Sequence, residues 1–321
     1  MSPETYAHVS NLLIPTATVI YALAMVSHAM EWALGRAAVS SKVAAKEEVL
    51  VGSGGETVAP AAPAEEPSTE RLDAASRIGL LLTWLGFVFH LGGVVTRGLA
   101  AGRVPWGNMY EFSITASLAV AIVYLIFVQR YKLQWLGLGV TLVVAAVLGL
   151  ATLALYTPAG PLVPALHSYW LVIHVLGAMI AGAAFLVGAA ASVLYLVKSK
   201  AEATTSEDER TGFLWRIPPS AAIDQVAYRV HAFAFPIWTF AALIAGPIWA
   251  QYAWGRYWGW DPKEVWAFIT WVVYAGYLHA RATAGWKGKA AAILALVGFA
   301  TFVFNFTGVN LFVGGMHSYA K

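Results

Sequence analysis

The thirteen residues from Trp254 to Trp266 read WGRYWGWDPKEVW and hold five large aromatic rings, Trp254, Tyr257, Trp258, Trp260 and Trp266, between two long apolar runs. A loop at a membrane edge ordinarily uses one or two such rings as interfacial anchors. This density suits a flat aromatic ligand better, since the rings could form a platform on which a porphyrin lies by stacking and area burial. Taken alone, the loop also reads as a rich aromatic belt. Two histidines tip the balance. His167, in TPAGPLVPALHSYW, and His317, in VGGMHSYAK, are each followed by Ser and Tyr, and each sits at the end of an apolar run on the side of the tryptophan loop. Neutral imidazole is a good iron ligand, one above and one below a porphyrin plane, while aromatic side chains bury the macrocycle and leave an edge reachable. The pair and the loop together point to a haem site. Zinc is the other ligand histidine favours, but the chain has no HExxH and no cysteine. Asp261 has a structural role in view as well. In DPKE it can be the N-cap of the next helix, with Pro262 first and Glu264 third, so that loop and helix form one rigid support.

The elements that must position these residues follow from composition. At 59% hydrophobic and 12% charged over 321 residues, the chain is too apolar for a soluble domain. The expected class is all-α, a polytopic membrane helix bundle. Runs near 11–33, 78–99, 110–130, 133–156, 169–197, 226–250, 263–284 and 289–312 are long enough to cross a bilayer, which makes eight spans. The first run has no basic leader and no small-residue cleavage site, so it reads as a retained span. Fourteen of the twenty Lys and Arg fall in the segments after the odd-numbered spans and five on the other side. By the positive-inside rule both termini and the tryptophan loop face outward. The net charge of +3 largely reflects this asymmetry, so no nucleic-acid partner is expected.

The chain divides into a first transmembrane helix (1–39), a linker (40–76) and a membrane domain (77–321) carrying the external loop 251–266. The linker, rich in Ala, Pro, Glu, Gly and Ser, has the composition of a disordered cytoplasmic segment. A second cytoplasmic connection, KSKAEATTSEDERTGFLWRIPPS, reads as a solvated loop with Phe213, Leu214 and Trp215 resting on the membrane surface. His279 lies sixteen residues after Lys263, about 24 Å down the helix, near the cytoplasmic side of a core about 30 Å thick. An ionisable group at that depth is a functional candidate. His28 and His231 fall at similar depth and His90 near mid-span; His231 and His90 read as packed or hydrogen-bonded helix histidines, and His28 stays open as an alternative ligand.

The run WGRYWGWDPKEVWAFITWVVYAGYLHAR, with LHSYWLVIHV before it, GMHSYA at the C-terminus and PWGNMYEF around Asn108 and Glu111, resembles the CcsA/ResC family, the tryptophan-rich haem-handling subunit of System II cytochrome c biogenesis. The resemblance covers residues from about 78 to 321. It implies that His167 and His317 ligate an external haem b, that His279 ligates a haem within the membrane, and that Trp254, Tyr257, Trp258, Trp260 and Trp266 cradle the porphyrin. It implies a CcsB/ResB-type membrane subunit that supplies the opposite ligand to His279, thiol-reducing thioredoxin-like proteins, and an apocytochrome c substrate. The implied activity is a cytochrome c synthase of the inner membrane, active on its extracytoplasmic face. The two thiols of a CxxCH segment add across the haem vinyl groups, with His167, His317 and Asp261 nearest the chemistry. Because this chain has no cysteine, both sulfurs belong to the substrate. Two other haem readings remain: a CcmC-type chaperone or exporter, and a di-haem redox protein using His28, His231 and His279. A solute transporter would show polar groups on broken mid-membrane helices, and few are present.

Overall fold

In the computed structural model, residues 1–51, 69–131, 133–162, 164–207, 210 and 212–317 are described, with side chains at 1–33 and from 73 onward. Among them no residue is in a strand. The long helices are α1 (Pro3–Val51), α2 (Thr69–Ala101), α3 (Met109–Tyr131), α4 (Gly137–Ala154) and α5 (Tyr169–Thr204). A short α6 (Phe213–Arg216) precedes α7 (Ser220–Phe240), which continues through a π turn at Ala241–Ala245 into α8 (Gly246–Trp254). Then come α9 (Pro262–Ala282) and α10 (Lys289–Val303), the latter continued by a π turn at Phe304–Gly308 into α11 (Val309–Phe312).

Seven stretches among the described residues are long and apolar enough to cross a membrane, namely Pro3–Ala33, Asp73–Ala101, Met109–Tyr131, Gln134–Ala154, Tyr169–Thr204, Ser220–Trp254 and Lys289–Phe312. The chain is a multi-pass membrane protein. Its surface agrees, since Leu81, Leu153, Val19 and Val88 are all at least 60% exposed, an arrangement that suits lipid and not water. The expected seventh run, 263–284, forms α9 but is absent from that set. At 21 residues it is about 31 Å long, but Trp266, Trp271, Tyr274, Tyr277, Lys263, Glu264 and Arg281 dilute its hydropathy.

Two groups of helices build the core. In one, α1 packs on α2 and α4; in the other, α5 packs on α7 and α10, and α9 on α10. Small residues permit the close approaches, as is usual between helices in lipid. The His28 ring lies between Gly79 of α2 and Gly137 of α4, where an added Cβ would come within 2.7 and 2.5 Å of it. The His231 ring on α7 lies against Gly188 of α5 in the same way, at 2.6 Å.

The second cytoplasmic connection departs from expectation. Phe213 is buried and stacks on Trp32 of α1 with ring centroids 4.3 Å apart, and Lys198 lies 4.0 Å over the Trp215 ring. The segment folds back onto the helix bundle instead of lying on the membrane surface, because α1 offers Trp32 as an apolar partner. Of the expected linker, α1 covers the part up to Val51 and α2 the part from Thr69, while residues 52–68 lie outside the described residues.

Candidate functional site

The capping pattern of DPKE is realised at the start of α9. Asp261 accepts from the Lys263 N–H and Glu264 accepts from the Asp261 N–H, with Pro262 at the first helical position. Glu264 also takes the Gly259 N–H, so its carboxylate ties down two residues of the tryptophan loop. The start of α9 and the end of the loop are thus one hydrogen-bonded unit.

Asp261 has a second task that its place in DPKE does not reveal. One oxygen accepts the Met316 N–H at 2.6 Å and the other accepts the His317 ring Nδ1–H at 2.7 Å. The cap of α9 therefore also anchors the Met316–His317 segment, with His317 56 residues later. With Nδ1 protonated, the imidazole lone pair sits on Nε2, the tautomer that a metal-ligating histidine with a carboxylate behind it adopts. Burial, with the Lys263 ammonium adding to it, lowers the His317 pKa and outweighs the hydrogen bond to Asp261. The imidazole is consequently neutral at pH 7. Burial alone would raise the Asp261 pKa, but the hydrogen bonds from His317, Met316 and Lys263 prevail and hold it below the ordinary carboxylate range.

Trp249, at the buried end of α8, joins the remaining parts. Its indole Nε1–H donates to the Ala165 carbonyl at 3.0 Å, two residues before His167. Its ring lies 5.6 Å from His317, 4.8 Å from Trp254 and, nearly parallel, 5.8 Å from His174. Trp254 in turn meets the His317 ring edge-on at 4.8 Å. Trp249 and His174 were not legible as site residues, because each sits in a helical apolar run outside the aromatic loop. His174 Nδ1–H donates to the Ala241 carbonyl at 2.8 Å, in the π turn where the helical ladder is irregular.

The five loop aromatics do not form a single flat shelf. Trp254 joins the Trp249 and His317 cluster. Trp258 and Trp260 stand perpendicular to each other at 5.7 Å, and Trp260 meets Phe268 on the outer side of α9. Trp266 packs at 4.3 Å on Phe304 of the second π turn, and Tyr257 is exposed. The loop backbone explains the dispersal. Gly255 and Trp260 both have positive φ, 73° and 57°, so the chain reverses twice and turns successive rings to different sides.

His167 precedes the Ser168 N-cap of α5 and is exposed. It lines a cavity of about 420 Å³ together with Arg103, Trp106, Leu166 and Tyr169. His279 is exposed on α9, whereas Tyr277, two residues before it, is buried and packs on His231 at 5.4 Å. Two residues correspond to about 200° around a helix, so His231 and His279 serve opposite faces. His28, enclosed by α2 and α4, is likewise not brought to His279.

A donor set of neutral, carboxylate-backed His317, exposed His167 and clustered indoles is the kind that takes haem iron and a porphyrin ring. Residues 106–317 match the model of a family described as cytochrome C assembly protein. Proteins named cytochrome c biogenesis protein CcsA are similar along most of their length. That of Synechococcus elongatus is 35% identical, with 79% of this chain and 89% of the relative covered. That of Guillardia theta is 34% identical, with 75% and 92% covered. That of Gloeothece citriformis is 33% identical, with 79% and 89% covered. Among solved structures, the cytochrome c haem lyase CcmF superposes with a TM-score of 0.63 at 15% identity, a likeness of fold. The superposition covers 95% of this chain and 46% of that one, so this chain spans about half of CcmF. With the match running from Trp106 through the tryptophan loop to His317, the chain belongs to the cytochrome c assembly protein family.

Proposed function

We propose that this chain is the haem-handling subunit of a cytochrome c synthase, which brings haem b to the outer face of the inner membrane and holds it for attachment to the CxxCH segment of apocytochrome c. The observation that carries the reading is the Asp261–His317 pair, set against Trp249 and Trp254 and linked through the Trp249 hydrogen bond to the segment that bears His167. His317 and His167 are the two axial ligands in this reading. Trp254 supports the ring from one side, and Trp258, Trp260, Trp266 and Tyr257 line its approach. Haem is substrate here. Each cysteine S–H adds across a vinyl C=C, the sulfur bonding to the carbon next to the ring and the proton going to the terminal carbon, with no net redox change.

The protein's contribution is positioning, which converts encounter of thiol and vinyl into a reaction between fixed partners. Asp261 keeps His317 in the ligating tautomer. His279, exposed on α9, takes haem within the membrane opposite a ligand from a CcsB/ResB-type subunit docked on that face. The outward orientation of the loop rests on the Lys and Arg distribution. Thioredoxin-like proteins keep the substrate thiols reduced.

Purified protein tests the reading. A reduced low-spin haem spectrum is expected for the wild type, and its external component should be lost in His167→Ala and in His317→Ala. Wild-type protein that binds no haem, or variants that keep the full spectrum, would refute it.

A further inference from the structure

The cavity beside His167 carries a charge and two hydrogen-bond donors that the histidines and the tryptophan loop leave unused. Glu111, fully buried at the start of α3, is shared by two arginines: Arg97 Nε donates to it at 2.9 Å and Arg103 Nη1 at 2.7 Å. Two guanidiniums on one carboxylate leave one positive charge, and the other hydrogen bonds of both arginines go to carbonyls, of Thr157, Val104 and Gly160. Among the described residues, none that lines the cavity is acidic. Two of the residues that line it, Arg103 and Trp106, each hold a buried N–H with no acceptor, Arg103 Nε and Trp106 Nε1. Buried donors are almost always paired, so two at one cavity call for an acceptor.

Arg103 is also held ready. Its guanidinium lies so close over Gly107 that an added Cβ there would stand 2.4 Å from Nη2, and Gly107 N–H itself donates to Glu111. The PWGNMYE segment is thereby accounted for: Asn108 caps α3 by accepting the Glu111 N–H, Glu111 fixes both arginines, Gly107 makes room and Trp106 supplies an indole donor. The missing partner is an anion that can accept from one guanidinium N–H, Arg103 Nε, and from the indole N–H of Trp106, which the two oxygens of a carboxylate can do. The same cavity is lined by His167.

We propose that Arg103 and Trp106 Nε1 form a carboxylate site that receives a propionate of the porphyrin whose iron His167 ligates. This rests on the haem reading above and adds to it. The site fixes the rotation of the macrocycle about the His167–iron axis, and so determines which edge carries the vinyl groups toward the substrate. Arg103 is a binding residue in this role, and Arg97 acts through Glu111.

The test titrates the purified full chain in detergent with haem b and with its dimethyl ester, in which both propionates are neutral, following the Soret band. Wild type should bind the ester at least about tenfold more weakly than the free acid, the loss of one charge-assisted interaction. Arg103→Gln should bind the free acid about tenfold more weakly and no longer distinguish the two, which also cancels unequal partition into micelles. Trp106→Phe, which removes only the N–H, should lose part of the discrimination. Equal binding of acid and ester by wild type, with the Soret band still dependent on His167, overturns the carboxylate site and leaves the haem reading intact. The ester comparison in wild type needs no variant to fold. No binding of either compound by wild type overturns both.

Discussion

Asp261→Asn isolates what the pair with His317 contributes. The two side chains are isosteric, and Asn is as good an N-cap as Asp, so α9 should start where it does now. The carboxylate, however, uses both oxygens as acceptors, for Met316 N–H and for His317 Nδ1–H. An amide has one oxygen and one NH2, so one of these two donors would face another donor. If the NH2 faces His317, the imidazole responds by moving its proton to Nε2, which removes the lone pair that would meet iron. If the NH2 faces Met316, the Met316–His317 segment loses its backbone tether. Either way at least one hydrogen bond to a charged group is lost, and an NH2 facing His317 also loses the Lys263 N–H that shares that oxygen; one such bond is about 1.5–3 kcal/mol, or roughly tenfold to 150-fold in occupancy of the His317 ligand. The assay is haem content by pyridine haemochrome, with the low-spin fraction from the visible spectrum.

The pH dependence supplies a second signature of the same pair. The folded His317 pKa is lowered from 6.5, so the stability it contributes is complete above 6.5 and declines as pH falls from there toward the folded pKa. The folded Asp261 pKa is lowered from 3.8, so its contribution holds above 3.8 and is lost as pH falls through the folded pKa. Wild-type haem retention should therefore weaken from about pH 6.5 downward. Asp261→Asn should start lower and lose the acid limb below pH 3.8. Haem content, spin state and acid profile all unchanged in Asp261→Asn would refute the tautomer argument.

Three other perturbations separate the parts of the bundle. Trp249→Phe removes the Nε1–H that holds Ala165, and should reduce external haem retention about threefold to tenfold with little change in thermal stability; an unaltered spectrum would mean that the His167 segment is positioned by other contacts. Gly188→Ala places a methyl 2.6 Å from the His231 ring and should destabilise the fold by about 1–3 kcal/mol, read as a lowered melting temperature in detergent, while a melting temperature equal to wild type would show that α5 and α7 separate freely. His279→Ala, at an exposed position, should leave the melting temperature alone and lower the haem that co-purifies with the subunit pair; a lower melting temperature with unchanged haem would make His279 a packing residue.

Some of this was legible in the sequence because it is local. The DPKE cap depends on groups within four consecutive residues, and it forms as read. The apolar runs became helices because lipid leaves backbone polar groups no other partner. What was not legible depends on contacts across many residues. Nothing near Asp261 tells that it holds His317, and nothing near Trp249 tells that it holds Ala165. The five aromatics looked like one platform because spacing hides the two positive-φ residues that turn them apart. The run at 263–284 was read from the sequence and forms α9, but its indoles and phenols keep its hydropathy below that of the seven other stretches, although Tyr274 and Tyr277 are buried. Phe213 looked like a surface anchor until α1 supplied Trp32, 181 residues earlier, as its partner.

Co-expression tests the central claim most directly. The chain is produced with and without a CcsB/ResB-type subunit in cells lacking their own maturation system, alongside a CxxCH apocytochrome, and covalent haem is read by haem staining of a denaturing gel. Stained cytochrome with the wild-type pair, none with the chain carrying His167→Ala or His317→Ala, is the predicted result. Haem bound to the membrane protein with no covalent product in any pairing would contradict it and favour a chaperone or redox role.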